Sequence, residues 1–419
     1  MGKTQSLAEG SSSERLHALD AVRGGALMLG IAFHATMSFL PGHQVWPVVD
    51  ADRSLVLGGT FYVLHIFRMT TFFLIAGFFA HLTFHRRGQA AFIRDRLKRI
   101  ALPLVVGWPI LFAAIVGVSI WAFAQSNGGV LPKVAPPMPA PPPLAFPLTH
   151  LWFLYVLLLL DAATIAARAA VSRLDGAGRF RAGLDAIVRG LMLSPFGPLV
   201  LAAPVALALG LQRPWLMWFG VPTPDNSLIP NTPALVGFGA AFAFGWLLHR
   251  QPDLIRGLER RWSLNLAVAV ALTAGLLAWL GLTPVVTPAP QAWTTWAYAA
   301  AYGLAIWTWS FALIGLALRF LSGESPARRY VADASYWLYL IHLPIIMALQ
   351  VVVAPLPWPW WVKYPLILAV AFPLMFASYQ LMVRRSFVGA ILNGRRQPPR
   401  LPRLSPKSTQ GQASQEPAR

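Results

Sequence analysis

Apolar segments of about twenty residues recur along most of this 419-residue chain, and no other feature restricts its fold as strongly. A helix needs roughly 20 apolar residues to cross a hydrocarbon layer about 30 Å thick. Charged residues make up 12% of the chain and hydrophobic residues 56%, whereas a soluble domain ordinarily contains about 25% charged residues. The sequence therefore predicts an all-α integral membrane protein.

The apolar segments predict a bundle of about ten transmembrane helices. They lie near residues 20–40, 57–84, 100–124, 148–169, 191–211, 231–248, 263–283, 294–318, 334–354 and 363–383. The chain then divides into a cytoplasmic N-terminal tail (1–19), a membrane domain (20–383) and a basic cytoplasmic tail (384–419). The N-terminal tail lacks an apolar signal core, so we expect the first helix to be retained. The C-terminal tail is rich in proline and serine and is predicted to be disordered.

The positions of the basic residues predict the orientation. Of 34 Lys and Arg residues, 28 fall in the tails and loops that share a side with the N-terminus and 4 on the opposite side. Arg23 and Arg68 lie inside spans. Cytoplasmic loops carry an excess of Lys and Arg, so both termini are predicted to be cytoplasmic. The net charge of +19 is explained by this topology, and we expect no nucleic-acid partner.

The sequence lacks the residues and motifs of several common kinds of functional site. The chain has no cysteine, which excludes disulfides, thiolate nucleophiles and Cys-based metal sites. It has no Walker loop, no dinucleotide-binding glycine motif and no His-Glu-x-x-His motif, and the histidine spacing gives no reason to expect a metal. The segment 125–147 is rich in proline and is predicted to be an extended strap.

Ionisable residues inside spans cost about 2.5–3.5 kcal/mol each on insertion scales, so they are candidates for function. The first span contains Asp20, Arg23 and His34. At 3.6 residues per turn, Arg23 and His34 share one helix face, about 16 Å apart along the axis. This spacing predicts an anion-binding group near the cytoplasmic surface and an imidazole deeper in the bilayer. The structural alternative is an Asp20–Arg23 pair that anchors the helix end, with the histidine bonded to a carbonyl.

Two further polar features lie in or beside the second span. His65 and Arg68 are three residues apart and so share a face. Arg68 requires an anion or several carbonyls, and pairing with an acid such as Asp161 is the structural alternative. The basic run Arg94–Arg99 precedes the third span. Such a run either binds lipid headgroups and sets the topology, or binds a polyanionic ligand such as the phosphates of a nucleotide.

Two histidines lie beside aromatic residues in later spans. His150 stands at the start of the fourth span, in Thr-His-Leu-Trp-Phe-Leu, and His342 stands in Tyr-Leu-Ile-His-Leu-Pro. Both are candidates for a site. Both also fit interfacial or core histidines next to the aromatic belt of a membrane protein.

These segments together resemble the membrane acyltransferase family 3. Asp20-Ala-Val-Arg23, followed by ten residues and His34, resembles the Arg-x10-His signature of that family. Phe72–Phe78 resembles its second-helix motif, with Ala76 in place of the usual Ser, and Arg96–Arg99 follows as the step into the third helix. Further similar segments begin at His65, His150 and Tyr339, so that the resemblance extends from residue 15 to about residue 345.

The resemblance implies a bacterial inner-membrane enzyme that moves an acyl group from cytoplasmic acyl-CoA to a hydroxyl of an envelope glycan. The segments are most similar to the branch of the family that succinylates periplasmic glucans, so succinyl-CoA and a periplasmic glucan are expected. Acetyl-CoA with an O-antigen, an exopolysaccharide or another glycan is one alternative. A secondary transporter is another, although inverted repeats are not found in the sequence.

The resemblance also implies roles for particular residues. His34 is expected to be essential, as a general base or through an acyl-imidazole. Asp20 is the second catalytic candidate, and the alternative role for it is to orient Arg23. Arginine binds phosphate well, so Arg23, Arg96 and Arg99 are expected to bind CoA. The remaining candidates are expected to line the cavity, stabilise an oxyanion or stack on a sugar; they are His65, Arg68, His150, Trp152 and His342.

Overall fold

The structure, a computed structural model, describes the backbone of residues 2–43, 45–129 and 144–393, with side chains from residue 17 onward. Within these ranges the regular structure is helical, apart from an isolated bridge between Ala145 and Ser227. The helices are α1 (Gly2–Thr36), α2 (Leu55–Arg96), α3 (Leu102–Ser126), α4 (Trp152–Leu174), α5 (Arg179–Leu193), α6 (Gly197–Leu211), α7 (Thr232–Leu248), α8 (Arg256–Leu280), α9 (Trp293–Phe320), α10 (Pro326–Val353), α11 (Trp360–Ser378) and α12 (Phe387–Asn393). The prediction of an all-α protein is confirmed. Most of the Pro-rich strap and the tail beyond residue 393 lie outside the described residues.

Several helices are suited to cross a membrane. In the described ranges, six helical stretches are long and apolar enough, or seven if the bent pair α5–α6 is one span. A multi-pass membrane protein is therefore confirmed, but the count of ten is not, and the orientation of the termini stays a prediction. One stretch, residues 55–126, contains both α2 and α3 and has 72 residues. At 1.5 Å per residue it is far longer than one hydrocarbon layer. It is not one continuous helix, because Gly88 has non-helical backbone angles (φ 76°, ψ 171°) and divides α2.

The segment predicted as a span at 191–211 is divided between two helices. α5 ends at Leu193, α6 begins at Gly197, and the two helices are bent by 111°. Pro195 lies in the break. Proline cannot continue a helix and disfavours helical backbone at the preceding residue. The segment predicted as a span is therefore present as part of a bent helix pair, and α6 alone has only 15 residues.

α2 lies at the centre of the bundle and packs on α1, α7 and α9. Its contact with α7 is a close approach of two backbones. A Cβ on Gly77 would collide with the carbonyl of Phe242, and a Cβ on Gly245 would collide with the carbonyl of Leu74. Small residues allow membrane helices to pack this closely. The glycine of the second-helix motif therefore fixes the position of the helix that carries two candidate site residues.

A buried ion pair attaches the segment between α1 and α2 to α11. The Nζ of Lys363 lies 2.9 Å from a carboxylate oxygen of Asp50, and the two side chains are 2% and 1% exposed. Asp52, two residues on, accepts a hydrogen bond of 2.6 Å from the backbone N–H of Trp360. These contacts hold the segment that places Trp46 beside the end of α1.

Candidate active site

Four of the histidines identified in the sequence meet in one cavity inside the bundle. His34 of α1 and His342 of α10 have ring centroids 5.0 Å apart, and His150, just before α4, lies 5.2 Å from His342. His65 of α2 lies 5.8 Å from the ring of Phe33. We call this space, about 80 Å³ in volume, the central cavity.

Hydrogen bonds to carbonyl groups fix two of these rings. His342 donates from Nδ1 to the carbonyl of Tyr339 at 2.6 Å, and its buried Nε2 has no partner among the described residues. His150 donates from Nε2 to the carbonyl of Leu340 at 2.9 Å. The bond made by one ring nitrogen sets the tautomer of a neutral histidine, so Nε2 of His342 is a proton acceptor. The Nδ1 of His34 is likewise buried without a partner in the described structure.

Two residues that sequence reasoning missed support His34. Gln350 of α10 donates from Nε2 to the carbonyls of His34 and Ala35 at 3.0 and 3.2 Å. Its Oε1 accepts a hydrogen bond of 2.8 Å from the indole Nε1 of Trp46, whose ring stacks on that of His34 at a centroid distance of 6.0 Å. The sequence could have identified Gln350, because an amide side chain inside an apolar span requires a hydrogen-bond partner.

Arg68 lines the central cavity as well. Its guanidinium carbon lies 4.4 Å from the centroid of the Phe33 ring. Its buried Nε has no hydrogen-bond partner in the part of the chain that the structure describes. The alternative that Arg68 pairs with Asp161 is wrong, because Asp161 lies 3.0 Å from Arg96. Arg68 therefore remains available to a ligand.

A second space, the basic cavity, has a volume of about 220 Å³ and is lined by all three arginines predicted to bind CoA. These are Arg23 from α1, Arg96 from the end of α2, and Arg99 from the π-helical turn that joins α2 to α3. Arg96 is held by the buried carboxylate of Asp161, and Arg99 lies 3.2 Å from Asp95. The guanidinium groups are therefore concentrated at one opening of the bundle.

Asp20 lies beside this group but lines neither the basic cavity nor the central cavity. Its carboxylate is 3.0 Å from a guanidinium nitrogen of Arg23. This contact suits a residue that orients Arg23. A direct catalytic role for Asp20 stays a prediction.

The third space, the wide cavity, has a volume of about 600 Å³ and is lined by Trp46, Phe219, Asp225 and Asn226. Asn226 donates to a carboxylate oxygen of Asp225 at 2.9 Å. Burial in this loop raises the pKa of Asp225 to about 6. Trp152 lines the wide cavity too, with its ring stacked on Phe238 at 5.5 Å. The wide cavity therefore combines aromatic rings with hydrogen-bonding groups of both kinds.

Shared lining residues show that the three cavities form a series, with the central cavity between the basic and the wide cavity. The central and wide cavities share His34, His65, His150 and Trp152, and the central and basic cavities share Leu27, Phe72, Phe153 and Tyr339. The series therefore runs from Arg23 past His34 to Trp46. Among the described residues, no group of three or more His, Asp or Glu side chains is arranged to hold a metal ion.

Comparison with known proteins identifies the class. The sequence model of acyltransferase family 3, described as an acyltransferase domain, matches residues 16–380. The chain therefore belongs to this family and is a membrane acyltransferase, which confirms the resemblance found in the motifs.

Individual relatives carry a more specific name. The chain is similar to glucans biosynthesis protein C of Salmonella paratyphi B, Salmonella dublin and Salmonella enteritidis PT4. Each is 26% identical over 354 residues, which cover 81% of this chain and 85% of the relative. No solved structure matches the chain.

Proposed function

We propose that this acyltransferase moves a succinyl group from cytoplasmic succinyl-CoA to a hydroxyl of a periplasmic glucan. The observation that carries this proposal is the position of His34, which lines both the central and the wide cavity, while the central cavity adjoins the basic cavity. A donor and an acceptor can therefore approach one imidazole from opposite ends of the bundle. The name of the relatives supports a glucan as the acceptor.

The basic cavity suits the donor. Acyl-CoA carries phosphates, and arginine binds phosphate oxygens through paired N–H groups. Arg23, Arg96 and Arg99 supply three such groups at one opening. The excess of basic residues on the side of the N-terminus supports a cytoplasmic location for this opening, in a bacterial inner membrane with both termini inside. From Arg23 to His34 the helix rises about 16 Å, which the acyl-bearing arm would follow.

The chemistry needs one proton acceptor beside the thioester. The oxygen of the sugar hydroxyl attacks the carbonyl carbon of the thioester, and His34 takes the hydroxyl proton as the C–O bond forms. The C–S bond then breaks, and the thiolate that leaves takes the proton back from His34. The products are a glycan ester and free CoA, and the imidazole is regenerated.

The wide cavity suits the acceptor. A glycan presents hydroxyl groups and apolar ring faces. Asp225 and Asn226 offer a carboxylate and an amide for the hydroxyls, and Trp46 offers an aromatic face next to His34. A volume of about 600 Å³ matches the clefts of roughly 300–1,000 Å³ that bind small molecules.

Acyl transfer in nanodiscs tests the proposal. Labelled succinyl-CoA and acetyl-CoA are offered separately with a β-glucan, and both labelled ester and released CoA are measured. We expect succinyl ester from the wild type and a rate about 10²–10⁴-fold lower from His34→Gln. His85→Gln is the matched control, because His85 is an exposed histidine on α2 outside the three cavities.

The outcomes separate the alternatives. Acetyl ester without succinyl ester would assign the enzyme to acetylation of an envelope glycan. A labelled His34 peptide, trapped when the acceptor is omitted, would replace the general-base step by an acyl-imidazole step. Absence of both ester and CoA release in folded protein would contradict the proposal.

A further inference from the structure

Arg68 is a half-buried cation inside the bundle, with no counter-charge among the residues that the structure describes. Among the described residues no carboxylate forms an ion pair with Arg68, and its Nε has no hydrogen-bond partner, whereas Arg96 forms an ion pair with the carboxylate of Asp161 at 3.0 Å. The contact of Arg68 with the ring of Phe33 is a cation–π contact. Such a contact compensates only part of the cost of removing a charge from water. A cation of this kind is expected to meet an anion when the site is filled.

The guanidinium of Arg68 is placed directly against α1, one turn before the histidine. A Cβ at Gly30 would lie 2.5 Å from Nη1 of Arg68, so only glycine leaves room for the guanidinium there. His34 follows Gly30 by four residues, a rise of about 6 Å. Both Arg68 and His34 line the central cavity. The cation therefore lies on the side of His34 that faces the arginines of the basic cavity.

The size of the central cavity limits the anion. The cavity has a volume of about 80 Å³, and one water needs about 10–15 Å³. By this measure the space holds about five to eight waters, which is enough for a short acyl group and too small for a nucleotide. The arginines of the basic cavity already provide for the phosphates of the donor. The anion that reaches Arg68 is therefore expected to be part of the acyl group itself.

The distance fits a carboxylate at the end of a four-carbon acyl group. Three carbon–carbon bonds of about 1.5 Å separate its two carbonyl carbons. An ionic hydrogen bond adds about 2.8 Å. Together they span a distance of the order of one helical turn, which is the separation along α1 between Gly30, beneath Arg68, and His34.

We propose that Arg68 binds the free carboxylate of the acyl group and so selects dicarboxylic acyl donors over neutral ones. This inference rests on the proposed acyl transfer and deepens it, because it assigns the choice of donor to one residue. Arginine suits the role, since its planar fork forms paired hydrogen bonds with a carboxylate. Arg68 is thus a specificity-determining residue, distinct from the proton acceptor His34.

The test compares succinyl-CoA with butyryl-CoA, which has four acyl carbons and no free carboxylate. Wild type and Arg68→Gln are assayed in nanodiscs, with CoA release and glucan ester as separate readouts. We expect the wild type to prefer succinyl-CoA. In Arg68→Gln, kcat/KM for succinyl-CoA should fall about 10- to 100-fold, while that for butyryl-CoA changes by no more than a few-fold. Removal of an unpaired charge should also leave the fold intact.

Two further variants strengthen the test. Gly30→Ala displaces the guanidinium from α1 while keeping the arginine, so it should reduce the preference for succinyl-CoA as well. Arg53→Gln is the matched control, because Arg53 is an exposed arginine that donates to the carbonyl of Gly42 outside the three cavities. We expect Arg53→Gln to behave as the wild type with both donors.

The outcomes distinguish this inference from the proposed function. An equal loss with both donors in Arg68→Gln would overturn the inference and assign Arg68 to the thioester oxygen, with the acyl transfer itself intact. A wild type that uses butyryl-CoA as well as succinyl-CoA would also overturn it. A wild type that cleaves neither thioester would contradict the proposed function, and the inference with it. CoA release without ester would contradict only the choice of glucan as acceptor.

Discussion

His34 and His342 approach each other from α1 and α10 with ring centroids 5.0 Å apart, and each has a buried nitrogen without a hydrogen-bond partner among the described residues. In His342 that nitrogen is Nε2, because Nδ1 donates to the carbonyl of Tyr339. A second proton acceptor therefore lies beside the proposed base. It can receive a proton from the site or fix the tautomer of His34 through a bound water.

Replacement of His342 by glutamine should lower kcat by about 100-fold, because it removes this acceptor. The KM for the acyl donor should change by no more than a few-fold, since His342 lines the cavity of the acyl group but not the basic cavity that binds the phosphates. Steady-state kinetics with labelled donor measures both quantities. His85→Gln again serves as the control for a histidine outside the cavities. Wild-type kcat in His342→Gln would show that the contact between the two rings is only packing.

The amide of Gln350 joins the carbonyl of His34 to the indole of Trp46. Gln350→Leu has a similar volume but breaks both bonds and leaves the Trp46 N–H unpaired, so the ring should move from His34. We expect kcat/KM for the acceptor to fall about 10-fold, in line with about 1–3 kcal/mol for a lost buried hydrogen bond. Acceptor kinetics measures this loss, and indole fluorescence reports the movement.

Gln125→Leu is the matched control for this change. Gln125 also donates to a carbonyl of α10, that of Val351, at 3.1 Å, but it lies outside the three cavities. Its replacement should leave acceptor kinetics unchanged. If the two leucine variants lose activity equally, the effect belongs to the stability of α10 and not to the position of Trp46.

The polar residues of the central cavity were predictable because each interrupts an apolar segment. A polar side chain inside a membrane span costs free energy, so it is a candidate for function. His34, Arg68 and His342 share this property. Their mutual distances were not predictable, since spacing within one helix says nothing about which helices pack together. Trp46 could not be found in this way. It lies in a short connection and reaches Gln350 across 304 residues of sequence.

The number of spans was less predictable than the chemistry. Hydropathy detects the length of an apolar segment but not a change in the direction of the helix axis. The predicted span at 191–211 therefore included the break at Pro195. The connection predicted between the second and third spans contains a kink at Gly88, whose φ of 76° is not helical, and then continues as helix through a π-helical turn at Leu97–Ala101 into α3. Local backbone geometry at these two places, rather than composition, decides how the chain is divided.

The ion pair between Lys363 and Asp50 should be important for stability because both side chains are buried. Lys363→Met alone leaves an unpaired buried carboxylate, which is expected to cost about 3–5 kcal/mol. Replacing Asp50 by Asn in the same chain should recover most of this loss. Thermal unfolding in nanodiscs measures the difference between the single and double variants.

A surface ion pair provides the comparison. Arg250 lies 2.7 Å from Asp185, and these side chains are 31% and 29% exposed. Arg250→Met should therefore cost less than about 1 kcal/mol. If the double variant of the buried pair were as unstable as Lys363→Met alone, the loss would come from the packing of the lysine chain and not from an unpaired charge.

Asp225 gives a pH-dependent prediction whose sign is set by burial. Its pKa is raised to about 6 from the ordinary value of 3.8, so the folded protein holds this proton more tightly than the unfolded chain does. The carboxyl therefore contributes stability that is fully present below pH 3.8 and is lost as the pH rises through about 6. Asp225→Asn cannot ionise. Its melting temperature should exceed that of the wild type at pH 8 and match it at pH 4.

Asp175 should respond in the opposite direction. Hydrogen bonds from the backbone of Arg181 and Phe180 hold the pKa of Asp175 below its ordinary value. Its ionised form is therefore the stabilising one, so Asp175→Asn should lower the melting temperature at pH 8 and have little effect at low pH. A gain in melting temperature for Asp225→Asn and a loss for Asp175→Asn at pH 8 would separate a destabilising carboxylate from a stabilising one.

The same Asp225→Asn variant tests acceptor binding. If it raises the KM for the glycan, acceptor binding explains why a destabilising carboxylate is present. An unchanged KM would remove Asp225 from the acceptor site.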